Sequence, residues 1–371
     1  MRLKLFIILI AWTLVSPLSH AICLDSLLNL PAMGVPVVNY SPESTWEFGA
    51  AAQAYFRLPN QERTSIVQID GTYSLKHQWY FNAQGALYCA SKTANWQLHF
   101  RVGYSDQPAT YYGIGNEGNM GVGMLREGIP YTLQRSYATI QTPVALGKDW
   151  AIGPTANVQF TDSEIAHIGY RMSDVGVGVV TLYDTRDVTF YPTRGVFFKL
   201  SLSSSYLAYL MDVAAPSRHI TGHLSADVRQ YIQLPHDLVV AWQFKTQWII
   251  TPYEVSPLGV YSLLPRLGGQ DGLRGVNSDM FRDDVMMALQ TELRIPIWSI
   301  FRATIFAGVG DVYDVHDWHW TVPKVGYGVG LRAAINKAKV NIRFDIARSN
   351  VDPRWNNINA YSFYLTATEA F

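Results

Sequence analysis

The sequence predicts an all-β chain closed into an antiparallel transmembrane barrel, and three observations carry that prediction. Apolar residues fall on alternate positions in segment after segment, the two-residue period of a strand. The opposite parity repeatedly carries Arg, Glu, Lys and Asp, which fits lipid outside and a wet, charged lumen inside. Hydrophobic residues make up 49% of the chain. Yet beyond the N-terminal segment no apolar run approaches the ~18 residues that a membrane helix needs. Lipid cannot satisfy an open sheet edge, so such a sheet must close on itself. Charged residues are only 16%, aromatics 13% and net charge zero. Nothing in that balance recruits nucleic acid.

The elements follow in order. Met1-Arg-Leu-Lys-Leu5 carries two positive charges, Leu5 to Leu18 is apolar, and Ser19-His20-Ala21 ends the stretch. This reads as a signal peptide over 1–21, cleaved before Ile22. A short periplasmic segment, 22–34, leads into a barrel over 35–371. Strands are expected near 45–57, 64–75, 77–90, 95–105, 131–145, 149–163, 175–184, 194–206, 217–232, 237–250, 283–295, 302–310, 324–334, 339–348 and 360–371. Single-chain bacterial barrels have even strand numbers. Val35-Pro-Val-Val-Asn-Tyr40 supplies the sixteenth, since Pro36 is tolerable near a strand start. Counting back from a periplasmic C-terminus makes 106–130, 164–174, 207–216, 251–282, 311–323 and 349–359 outer loops. Short turns such as Gly147-Lys148-Asp149 and Leu234-Pro-His-Asp237 face the periplasm.

Several motifs sit on this frame. Gly268-Gly-Gln-Asp-Gly-Leu-Arg-Gly-Val-Asn277 lies in the longest C-terminal loop. Tyr183-Asp-Thr-Arg-Asp187 precedes Tyr191-Pro-Thr-Arg-Gly195. Tyr111-Tyr-Gly-Ile-Gly-Asn116, Gln290-Thr-Glu-Leu-Arg-Ile-Pro296 and Val325-Gly-Tyr-Gly-Val-Gly-Leu-Arg332 accompany them, and the chain ends in Phe371. In this order they resemble the outer-membrane assembly and translocation barrels, the bacterial surface antigen superfamily of BamA, TamA and the two-partner secretion transporters.

The resemblance implies a loop folded into the lumen, with Leu273, Arg274 and Gly275 as its latch. Arg274 would bind acids on the inner wall. The wall partners on offer are Glu292, Arg294, Asp311 and Asp345. Asp184, Arg186, Asp187, Pro192 and Gly195 match the family's strand-turn-strand motif, and Phe371 matches its C-terminal assembly residue. The sequence departs from the family at Gly308, where a wall Asp is expected, at Val276, where an aromatic is expected, and at Glu369. The dozen or so residues before the first strand leave no room for the family's periplasmic POTRA domains, so a separate periplasmic partner is expected to supply capture.

The exported compartment favours a disulfide between Cys23 and Cys89, which the register places at the periplasmic side. Asp311 to Trp320 concentrates acids and histidines, but as a surface loop it needs no metal. No Gly-x-Ser-x-Gly or Gly-Lys-Ser/Thr stretch is present. No catalytic residue, cofactor or metal is therefore expected. The leading expectation is a barrel of the bacterial outer membrane that assists insertion or translocation of polypeptides, or lipid. Its partners would be outer-membrane lipid and unfolded outer-membrane or secreted polypeptides. A passive pore or structural surface barrel is the alternative, and an outer-membrane enzyme stands third.

Overall fold

The computed structural model describes residues 32–371 apart from 42–44, 60, 62, 91–94, 117–127, 166, 190, 270–271, 299, 335–340, 352–360 and 367–371. The expected signal peptide, Cys23, Glu369 and Phe371 lie outside the described residues. No helix among the described residues is long and apolar enough to cross a membrane.

Seventeen strand segments run antiparallel in chain order. They are β1 (Ala32–Ser41), β2 (Thr45–Phe56), β3 (Ser65–Ser74), β4 (Trp79–Ala90), β5 (Asn95–Tyr111), β6 (Ile129–Gln141), β7 (Val144–Leu146), β8 (Trp150–Ile165) and β9 (Ile168–Asp184). Then follow β10 (Gly195–Met211), β11 (Ala214–Gln233), β12 (Val239–Ile250), β13 (Val285–Trp298), β14 (Phe301–Tyr313), β15 (Lys324–Ala334), β16 (Asn341–Ser349) and β17 (Ser362–Thr366). β6 and β7 both pair with β5 and with β8. They are one strand interrupted at Thr142-Pro143, because Pro143 has no N–H to give the ladder. The architecture is therefore a sixteen-stranded antiparallel barrel, as the alternation predicts. Among the described residues β1 pairs with β2 and β17 with β16, and no ladder joins β1 to β17.

Side-chain burial is inside out relative to a soluble sheet. On β13 the alternate residues Gln290, Glu292 and Arg294 are buried, while the adjoining Leu289 of the opposite parity is 45% exposed. Arg332, Arg343 and Asp345 are buried on β15 and β16, whereas Ile305, Val329 and Leu331 are exposed. A sheet that hides its charges and shows its aliphatic residues is stable only in lipid. At the C-terminus Tyr361 and Phe363 are exposed and Ser362 is not, the parity expected for the closing strand.

Two expected outer loops are corrected. β8 and β9 continue to Ile165 and from Ile168, and β10 and β11 continue to Met211 and from Ala214, so 164–174 and 207–216 reduce to two-residue turns. The strands extend because their inner faces turn apolar there. Ile165, Tyr170, Met172, Leu207, Tyr209 and Met211 join one buried cluster with Val255, Val260, Tyr261 and Leu264 of segment 251–284. On β10 both parities are apolar there, with Tyr206 and Leu210 exposed opposite Leu207 and Tyr209. On β8 and β9 the exposed Glu164 and Arg171 stand opposite an apolar inner face, so the expected alternation is lost or inverted. Segment 251–284 packs a second cluster through Leu267, Leu273, Val276 and Phe281 against Met286, Ala288 and Val312.

An arginine placed on the exposed face separates this arrangement from a soluble sheet. Ile305→Arg is expected to lower folding stability in lipid vesicles by about 2–4 kcal/mol. Urea titration followed by tryptophan fluorescence measures it, and a loss within ~0.5 kcal/mol, as for an ordinary surface change, means that Ile305 does not face lipid.

Candidate functional site

The loop motif begins with backbone that only glycine tolerates. Gly275 has φ +95°, and a Cβ on it would lie 2.4 Å from the Arg348 carbonyl oxygen of β16. This close approach fixes the neighbouring Arg274 against the wall. Leu273 is fully buried and Arg274 is 1% exposed. The wall yields room in turn. A Cβ on Gly308 would stand 2.7 Å from Leu273 Cδ1, and one on Gly326 would collide with the Arg274 carbonyl. Gly308, where the family pattern expects Asp, is thus the seat of the loop's leucine.

The Arg274 guanidinium lies within reach of both wall carboxylates. Nη1 donates to Glu292 Oε2 at 3.0 Å and to Asp345 Oδ2 at 2.9 Å. The guanidinium carbon sits 3.6 Å from the Phe306 ring centroid, a cation–π contact strengthened by burial. Gln290 accepts from Arg274 N and Nε, both at 3.4 Å, and donates to the Gly272 carbonyl at 2.7 Å. Gly275 N–H donates to Tyr364 Oη on β17 at 3.2 Å.

Three further arginines surround the same acids. Arg294 Nε donates to Glu292 Oε1 at 2.8 Å. Arg332 bridges the pair, reaching Asp345 Oδ1 at 2.5 Å and Glu292 Oε2 at 3.3 Å. Arg343 Nε lies 3.6 Å from Asp345 Oδ2. All are buried, so each charge depends on its partners rather than on water. Of the wall partners read from the sequence, Glu292 and Asp345 hold Arg274, and Arg294 acts through Glu292. Asp311 does not join them. It pairs with Lys324 at 2.7 Å and accepts from Thr321 Oγ1 at 2.7 Å, because Lys324 is its close buried neighbour near the outer end of β14. Arg332, Arg343, Phe306 and Tyr364 were not singled out as site residues, although their places on the inward parity are readable from the alternation.

The strand-turn-strand motif builds a second knot. Asp184 accepts from Arg186 Nε at 2.8 Å and Nη2 at 3.0 Å, and from Arg63 Nη1 at 2.7 Å. Asp187 accepts from Thr193 N at 2.9 Å and Oγ1 at 2.7 Å. Gly195 has φ +108° and would press a Cβ to 2.4 Å from the Thr185 oxygen, so the turn closes only with glycine. Pro192 presents its carbonyl to Arg294 Nη1 at 3.0 Å, and the same guanidinium lies 4.6 Å from the Tyr191 ring centroid. Arg294 therefore joins this turn to Glu292, and Glu292 joins it to Arg274 of the opposite segment.

Cys89 is buried beside Leu58 and Leu87, and its expected partner Cys23 lies outside the described residues. Asp283, Asp284 and Asp314 bring one carboxylate oxygen each within 4.8 Å of one another. They form an acidic cluster, and no metal is assigned to it. Burial, followed by the charges of Asp284 and Asp314, pushes the Asp283 carboxyl up to about 7.

Two outcomes follow. Glu292→Gln leaves Arg274 and Arg332 with Asp345, takes the carboxylate from Arg294, and is expected to cost about 3–5 kcal/mol. Arg274→Ala is expected to cost less, about 1–3 kcal/mol, because Arg294, Arg332 and Arg343 still hold the carboxylates. Heat-modifiable migration and urea titration give the order, and a larger loss for Arg274→Ala contradicts the network. Asp283 binds its proton more tightly folded than unfolded, so stability is fully present below about pH 4 and falls as pH rises through about 7. Asp283→Asn is expected to flatten that decline in thermal melts taken across the window; an unchanged slope assigns the titration elsewhere.

The fold is similar to solved outer-membrane barrels. BamA from Haemophilus ducreyi lacking POTRA domains 1–3 matches with a TM-score of 0.56 at 11% identity, over 91% of this chain and 69% of that one. CdiB from Acinetobacter baumannii matches at 0.52 and 10% identity, over 91% of this chain and 57% of that one. CdiB from Escherichia coli matches at 0.53 and 14% identity, over 90% and 61%. A search of curated proteins finds no significant match. Residues 172–371, more than half of the chain and including both knots from Asp184 to Asp345, match the Omp85 superfamily domain. The chain belongs to the Omp85 superfamily, whose barrels reside in outer membranes.

Proposed function

We propose that this barrel assists insertion or translocation of polypeptides, or lipid, at the bacterial outer membrane. Segment 251–284 acts as the gate. The observation that carries the reading is the Arg274 guanidinium shared between Glu292 and Asp345 of the wall. A loop held by side-chain packing around one charged contact set, rather than by a strand ladder, has a defined closed position and a defined way to leave it. The terminal strands support the reading too. β1 and β17 are each paired on one side among the described residues, so the seam between them offers backbone groups to an incoming strand.

Superfamily members are generally transporters and insertases, and this chain needs no covalent step. Client capture falls to a separate periplasmic partner, and a cleaved leader over 1–21 delivers the chain. Cys23 and Cys89 form a bridge in the oxidising periplasm. Non-reducing mass spectrometry of native membranes checks the bridge, and two free thiols remove it.

Depletion tests the activity. Loss of the protein is expected to lower the levels of specific outer-membrane or secreted proteins, measured by quantitative proteomics of envelope fractions. Unchanged levels would leave a passive surface barrel in place of an assembly factor. Arg274→Ala is expected to raise single-barrel conductance as the loop loosens, and an unchanged trace removes the gate.

A further inference from the structure

The lumen holds a second charged site, apart from the Glu292 network. A cavity of about 750 Å³ lies between segment 251–284 and the inner faces of β5 to β12. Four cationic side chains line it, Arg101, Arg135, Lys245 and Arg266, against one carboxylate, Asp174. That carboxylate is engaged, accepting from Asn157 Nδ2 at 2.9 Å with His223 Nε2 at 3.7 Å. Arg266 has Asp279 at 3.7 Å.

Arg135 stands out among these cations. Its guanidinium and that of Arg101 sit on the same ring, at 5.0 and 5.3 Å from the Tyr137 centroid. Its Nε is sealed from water without a hydrogen-bond partner among the described residues. The cations acting on it are Arg266, Arg101 and Arg282. Like charges gathered on a partly dehydrated wall repel one another, and an anion between them relieves the repulsion and completes the missing bond. Serine hydroxyls of β10 and β11 add neutral donors to the same space.

We propose that this cavity binds a phosphate-bearing anion between Arg101, Arg135 and Lys245. Guanidinium forks match phosphate oxygens in pairs. The volume far exceeds the ~30 Å³ share of one water, so the cavity admits more than one phosphate. Segment 251–284 forms its roof, and ligand exchange requires that roof to shift or the ligand to arrive from the lumen.

The test uses the full chain in detergent micelles and pyrophosphate as the probe. Isothermal titration calorimetry is expected to show binding that weakens as salt rises. The Arg101→Gln/Arg135→Gln double variant, shown to be folded by heat-modifiable migration, is expected to bind about tenfold more weakly or worse. Equal binding by the folded variant overturns the site. Should the variant not fold, the wild type decides alone: pyrophosphate is expected to reduce its conductance in planar bilayers, and neither binding nor block overturns the proposal. A short-chain phosphatidic acid distinguishes the source. Preference for pyrophosphate identifies a free anion, and preference for the lipid, lost in the variant, identifies a headgroup.

Discussion

Glu292 is the constraint on which the interior depends. Its two oxygens are divided between Arg274, Arg294 and Arg332. One of these comes from segment 251–284, one holds the Pro192 carbonyl of the strand-turn-strand motif, and one stands on β15. A carboxylate removed from water is tolerable only when such partners replace its hydration. Three guanidiniums do this for Glu292, and the sharing ties both ends of the lumen to the same wall residue. Asp345 repeats the arrangement three strands away, with Arg274, Arg332 and Arg343.

The glycines of β14 and β15 are the steric half of the same design. Gly308 and Gly310 leave space for Leu273 and Leu267, and Gly326 lets the Arg274 backbone touch the wall. An aspartate at 308 would occupy the volume that Leu273 fills. The acidic function lies instead on Asp345, where the β15 glycine Gly330 leaves room for its Oδ1. A departure from the family pattern at one position is matched by packing at another.

Much of this was legible in the sequence. Alternation gave fifteen strands and the even-number rule added the sixteenth near Val35 to Tyr40, while the charged parity gave Glu292, Arg294 and Asp345 as inward. It failed at the outer halves of β8 to β10, where Tyr170, Met172, Leu207 and Tyr209 pack on segment 251–284, so that β10 is apolar on both parities and β8 and β9 carry Glu164 and Arg171 on the exposed one. Pairing choices were not legible either. Asp311 and Asp345 both face inward, and only three-dimensional distance assigns Lys324 to one and Arg274 to the other. Phe306 stands on the inward parity of its strand, but its place under Arg274 depends on the register of β14 against β13.

The charge network also dictates an order of events during assembly. Arg274 and Asp345 are 71 residues apart in sequence, and their neighbours come from β13, β15 and β16. No carboxylate has its full complement of partners until those strands stand side by side with segment 251–284 already among them. Closing such distant contacts is slow relative to local pairing. A barrel sealed with the segment outside would leave Glu292 and Asp345 without the Arg274 guanidinium, and the wall glycines would face an empty groove. Placement of segment 251–284 and closure of the last strands are therefore coupled, since each completes contacts that the other lacks alone.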